Sequence, residues 1–115
     1  MAKTSTHCED CIQVLGKPYL EVHEWLDAFA KKYQPQLYLE KHRMYRHHDE
    51  GVKKAEKLFG YYGGLAAKLH IIRDNSWYVI FDINKLREDN IEELYQKALK
   101  FCHKPLFENM DEEPE

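Results

Sequence analysis

Glycine and proline interrupt the helical periodicity of this chain at three points, and so limit where helices can lie. Gly16 suits the left-handed position that ends a helix, and Pro18 suits the first turn of the next one. Pro35 disfavours helix at the residue before it, and Gly60 closes the amphipathic stretch that follows. The apolar spacing between these breaks predicts three helices, over about 6–15, 18–33 and 39–59.

Beyond the third helix the pattern changes to one that is typical of strands. Two segments, at about 68–73 and 77–83, are rich in β-branched and aromatic residues, with turn-forming residues between them. They predict a β-hairpin that packs on the helices. Apolar residues at helical spacing then predict a last helix over about 90–102. The predicted fold class is therefore α+β, mainly α.

The chain is long enough for one core only. Its 115 residues predict a single globular domain over about 1–105, followed by an acidic tail, about 106–115, that is expected to be disordered. The net charge of -3 comes from 17 basic and 20 acidic residues, of which five acidic ones follow Lys104. The rest of the chain is thus close to neutral, which argues against a dedicated nucleic-acid binder.

Cysteine content and hydropathy predict a soluble, cytoplasmic protein. Three cysteines cannot pair completely, so we expect reduced thiols. All three fit apolar helix stripes, so we interpret the CxxC of Cys8 and Cys11, like Cys102, as core residues. The sequence carries neither a signal peptide nor an apolar run long enough for a bilayer, and it has no glycine-rich phosphate loop or other nucleotide-cofactor motif.

Histidine is the one unusual component, with seven residues, of which three lie between His42 and His48. His23 and Asp27 are one turn apart on the predicted second helix, so they can chelate one ion, or be an ordinary surface pair. His48 falls in the middle of the apolar face of the third helix, with His47 at its edge. A core histidine bonded to the backbone is the alternative there.

Further candidates lie on the same helix and on the hairpin. Glu56 is two turns after His48, where it can serve as a carboxylate ligand or pair with a neighbouring lysine. His70 lies on the first strand of the predicted hairpin, and His7 and His103 are interpreted as helix-end residues. Gly51, on the inner face of the third helix, costs about 1 kcal/mol relative to alanine, which indicates close approach of another backbone or a ligand.

Two segments, YLEVHEWLD and KHRMYRHHDEGVKKAEKLFG, resemble a small uncharacterised domain-of-unknown-function family of bacteria and phages. Its members carry an IHxWxD-like segment followed by HRxxRHHxxGxxxxExxFG. The resemblance covers about the first two thirds of the chain and implies no particular activity. It marks mostly polar and ionisable positions, and so adds four residues to the candidate polar site: Trp25, His42, Arg43 and Arg46.

We predict a metal-binding domain for a divalent transition metal such as zinc, manganese, iron or nickel. Its candidate ligands are His23, Asp27, His47, His48, Glu56 and His70. Whether it catalyses a reaction is left open, since metal-bound water could hydrolyse a substrate if one coordination position stays free. The alternative is a non-catalytic binding or regulatory module whose histidines and arginines form a structural network and whose surface engages a protein or small ligand. A phage-related role and an oligomeric state are compatible with this alternative.

Overall fold

The computed structural model describes residues 3–28 and 46–102. In these two ranges the chain forms five α-helices and one turn of 3-10 helix at Ile83–Lys85. In chain order the helices are α1 (Thr4–Leu15), α2 (Leu20–Leu26), α3 (Asp49–Phe59), α4 (Tyr61–Asp74) and α5 (Ile91–Leu99).

Helix α4 is the centre of the domain, and each of the other four helices packs on it. It is buried around almost its whole circumference over 63–67 and 69–72. The side chains that cover it are Val22 and Leu26 of α2, Ala55 of α3, and Ile91 and Tyr95 of α5, all at most 1% exposed. The core is therefore formed by four helices that pack around one largely buried central helix.

The predicted β-hairpin is wrong, and the described part of the chain is all-α. Residues 61–74 form one continuous helix, and bends and turns without strand pairing follow it. Because α4 is buried around almost its whole circumference, apolar residues occupy nearly all of its faces. The 3.6-residue spacing that identifies an amphipathic helix is therefore absent from its sequence. Its β-branched residues, Ile71 and Ile72, fit this interior, although β-branched residues in sequence alone favour a strand.

Glycines that suggest a loop instead allow α3 and α4 to pack closely. A Cβ atom at Gly63 would collide with the Cβ of Phe59, and one at Gly64 would lie 3.0 Å from the Cβ of Glu56. A side chain at Gly63 would prevent this approach, whereas one at Gly64 would only tighten the contact. The turn between the two helices is a single residue, Gly60, with a φ of 85°.

The other helices of the structure begin or end at different residues from those predicted. Helix α1 begins two residues before the predicted 6–15, α2 is shorter than 18–33, and α5 is shorter than 90–102. The third helix starts at Asp49 rather than at about 39, because Arg46 has a left-handed φ of 65° and His48 is the extended N-cap residue. The remainder of the predicted second and third helices, at 29–33 and 39–45, and the tail, at 106–115, lie outside the described residues.

Polar contacts join the outer helices to the central one and to each other. Arg73 of α4 donates two hydrogen bonds, of 2.7 and 2.8 Å, to the buried carboxylate of Asp10 on α1. The Tyr95 hydroxyl donates to Asp49 Oδ1 at 2.8 Å, which joins α5 to the start of α3. Among the helices described, none has the length and apolar composition needed to cross a membrane.

Candidate metal centre

Two histidine–aspartate pairs, each four residues apart, bring the polar side chains of the site together. His23 lies on α2 and Asp27 at its C-terminal end, where the Asp27 N–H still donates to the His23 carbonyl oxygen at 3.0 Å. His70 and Asp74 occupy the last turns of α4. Residues four apart project from the same face of a helix. Since α2 packs on α4, the two pairs meet.

His47 reaches the same place from the segment before α3, and both of its neighbours are anchored. Arg46 Nη1 donates to the Trp25 carbonyl oxygen at 2.7 Å, and the guanidinium carbon lies 4.2 Å from the centroid of the Trp25 ring. On the other side, His48 Nδ1 accepts a hydrogen bond from the Gly51 N–H at 3.1 Å. The backbone around His47 is thus held from two directions.

Four ligand atoms of these elements surround one point. His70 Nε2 lies 3.3 Å from each of two carboxylate oxygens, Asp27 Oδ1 and Asp74 Oδ2. His47 Nε2 lies 3.1 Å from the first oxygen and 3.5 Å from the second. The two imidazole nitrogens are 3.3 Å apart. We call these four residues, Asp27, His47, His70 and Asp74, the His/Asp cage.

Hydrogen bonds do not account for all of these distances. Among the described residues, each Nε2 atom of the cage has two carboxylate oxygens and the other nitrogen within 3.5 Å. An imidazole nitrogen carries at most one proton, so it can donate to one neighbour at a time. Lone pairs that converge on a common centre are instead the arrangement that a metal ion requires.

The cage is buried and strongly polar. The side chains of His70, Asp74 and His47 are 0%, 2% and 4% exposed, and that of Asp27 is 18% exposed. Burial alone would lower the pKa of His70, but Asp74 and Asp27 outweigh it and raise that pKa to about 9. Burial likewise opposes ionisation of Asp74, yet the adjacent His70 and His7 hold its pKa well below the ordinary value. The metal-free cage therefore stabilises a cation at its centre, which is a proton on His70.

Two further buried histidines enclose His70. The His7 ring stacks on it, with ring centroids 3.6 Å apart and an angle of 11° between the planes, and His7 Nε2 lies 3.2 Å from Asp74 Oδ1. His23 Nδ1 lies 3.0 Å from His70 Nδ1. These three imidazoles also form a close group. The rings of His7 and His70 are stacked face to face, so the nitrogen lone pairs of these two rings lie in nearly parallel planes rather than pointing at one centre.

His7 and His23 are both held in the neutral form. Burial, and then the charge of His70, lowers the pKa of His7, and the same causes lower the pKa of His23 to about 3. Each can thus act as a hydrogen-bond partner or a packing partner without adding positive charge beside the cage.

The structure separates the sequence-predicted candidates into three groups. Asp27, His47 and His70 belong to the cage, and His23 lies directly behind His70. His48 caps α3, while Glu56 is exposed and its stem lies against Gly64 of α4, away from the cage ligands. Of the additional polar residues, Arg46 and Trp25 contact each other, and His42 and Arg43 lie outside the described residues.

Sequence reasoning missed Asp74 and His7. Asp74 was interpreted as part of a hairpin turn, although its spacing from His70 repeats that of Asp27 from His23. A search for paired HxxxD segments would have found it. His7 was interpreted as a helix-end residue, yet it lies within α1 and is 1% exposed.

Fold and site together define a small helical domain with a buried cage of two histidines and two aspartates. The chain belongs to a family described as a domain of unknown function (DUF6915), whose model matches residues 2–80. The matched range includes every residue of the cage, together with His7 and His23. It confirms the resemblance to a domain-of-unknown-function family. Neither the curated proteins nor the solved structures contain a match to the chain.

Proposed function

We propose that this protein binds one divalent transition metal ion in the His/Asp cage. The observation that carries the proposal is the size of the cage. Ligand atoms of a tetrahedral zinc site with bonds of about 2.0–2.1 Å are separated by about 3.3–3.4 Å. Five separations between the nitrogen and oxygen atoms of the cage lie between 3.1 and 3.5 Å, a range that brackets the tetrahedral value.

Ligand type and charge support the same class of ion. Two imidazoles and two carboxylates suit zinc, manganese, iron or nickel, whereas calcium and magnesium prefer six or more oxygen ligands. Among the four, zinc accepts tetrahedral coordination most readily. Two aspartates also balance the charge of a divalent ion, so that the buried site is neutral once it is loaded.

The distribution of the ligands favours a structural role for the ion. Asp27 ends α2, His47 precedes α3, and His70 and Asp74 belong to α4, so one ion would fasten three parts of the chain. A site whose four ligands all come from the protein is typical of structural rather than catalytic zinc. The three cysteines of the chain, which cannot pair completely, support a reducing compartment such as the cytoplasm.

Titration of tag-free, chelator-treated protein tests this proposal. We expect one zinc ion per chain, and a melting temperature that rises by about 10 °C or more when free zinc exceeds the dissociation constant about 100-fold. Cobalt should give the intense visible absorption of tetrahedral coordination, and magnesium should change neither readout. A chain that carries no metal when purified, and takes up none on titration, contradicts the proposal.

A further inference from the structure

We propose that His23 is a positioning residue, which fixes the tautomer of His70 so that His70 presents its Nε2 lone pair to the cage. The inference rests on the proposed metal function and extends it to a residue outside the ligand set. His23 lies between a backbone carbonyl on one side and His70 on the other. It belongs to α2, whereas His70 belongs to the central helix.

The backbone sets the protonation of His23. Its Nε2 atom lies 3.0 Å from the Pro18 carbonyl oxygen, which can only accept a hydrogen bond. The proton of the neutral ring is therefore on Nε2. Cys11 Sγ, 3.4 Å from the same nitrogen, is a weaker neighbour. It follows that His23 Nδ1 carries a lone pair.

That lone pair in turn sets the protonation of His70. The two Nδ1 atoms are 3.0 Å apart, a distance at which one of them must carry a proton for the other to accept. Since His23 Nδ1 is the acceptor, His70 Nδ1 is the donor. A neutral His70 with its proton on Nδ1 has its remaining lone pair on Nε2, the atom that lies 3.3 Å from both cage carboxylates.

The result is a directional chain of hydrogen bonds from the cage to the backbone that precedes α2. It runs from His70 Nδ1–H to His23 Nδ1, and from His23 Nε2–H to the Pro18 carbonyl. Metal-bound histidines ordinarily donate their second N–H to such a partner, which fixes the ring and raises its basicity. The usual partner is a carboxylate, a carbonyl or water. Here a second, fully buried histidine fills that position.

A pair of His23 variants tests the positioning role. His23→Leu removes the acceptor, and we expect zinc affinity to fall about 10–100-fold, the range for loss of such partners. His23→Asn retains an amide oxygen near the position of Nδ1, so it should recover most of that loss. If both variants bind zinc as tightly as the wild type, His23 has no positioning role, although the metal site itself stands.

Nitrogen-15 NMR of the wild type supplies a readout that does not depend on the folding of a variant. In zinc-loaded protein we expect a proton on His70 Nδ1 and none on its Nε2, with His23 protonated on Nε2 only. A proton on His23 Nδ1 overturns the inference whatever the affinities are. Wild-type protein that binds no zinc overturns the proposed function, and with it the role of His23.

Discussion

Asp74→Asn is expected to lower zinc affinity by more than about 100-fold, beyond the range for residues that only support a ligand. The substitution keeps the shape of the side chain but removes its charge. Asp74 Oδ2 lies within 3.5 Å of both cage nitrogens, and its other oxygen lies 3.2 Å from His7. Competition against a chromophoric chelator measures the change.

Asp10→Asn is the matched control for that variant. Asp10 is also a buried aspartate at the interface of α1 with α4, where its carboxylate accepts two hydrogen bonds from Arg73, the residue before Asp74. Breaking this ion pair should lower stability while leaving one zinc per chain. Equal loss of zinc in both variants would mean that general destabilisation, not a missing ligand, explains the result.

Gly51→Ala should lower the free energy of unfolding by about 3 kcal/mol or more, despite the higher helix propensity of alanine. A Cβ atom at this position would collide with the carbonyl group of Arg46, which belongs to the backbone and so cannot move as a side chain can. The variant must displace the segment that carries His47. We therefore expect weaker zinc binding as well, and denaturant unfolding with and without zinc measures both effects.

Gly64→Ala gives the comparison for an ordinary helical glycine. The added methyl group would meet the side chain of Glu56 at 3.0–3.4 Å, a tight contact that a shift of a few tenths of an ångström relieves, and it would not collide with backbone. The expected change in stability is within about 1 kcal/mol. If Gly51→Ala is as mild as Gly64→Ala, the close backbone contact before α3 does not constrain the fold.

The close approach at Gly51 shows what a sequence can reveal about such a chain. A glycine on the inner face of an amphipathic helix predicted close approach of another backbone or a ligand, and the neighbour is a backbone group, the Arg46 carbonyl. The His23 and Asp27 pair was likewise recognisable from spacing alone. His23 and Asp27 are one helical turn apart, so helix geometry dictates their distance, and Arg46 is only five residues before Gly51.

What the sequence did not reveal depends on packing between distant segments. The sequence of α4 lacks the periodicity of an amphipathic helix because neighbouring helices bury almost its whole circumference. The sequence therefore predicted a strand at His70 and a turn at Asp74. The choice between His47 and His48 depends on where α3 begins. Once His48 caps that helix, His47 is the residue directed to the cage. Neither outcome follows from local periodicity.

Anomalous diffraction from crystals of the zinc-loaded protein tests the central claim most directly. We expect one anomalous peak per chain at the zinc edge, about 2.0–2.2 Å from four atoms: Asp27 Oδ1, His47 Nε2, His70 Nε2 and Asp74 Oδ2. A crystal grown with excess zinc that shows no peak inside the cage, or shows zinc only at surface histidines, would contradict it.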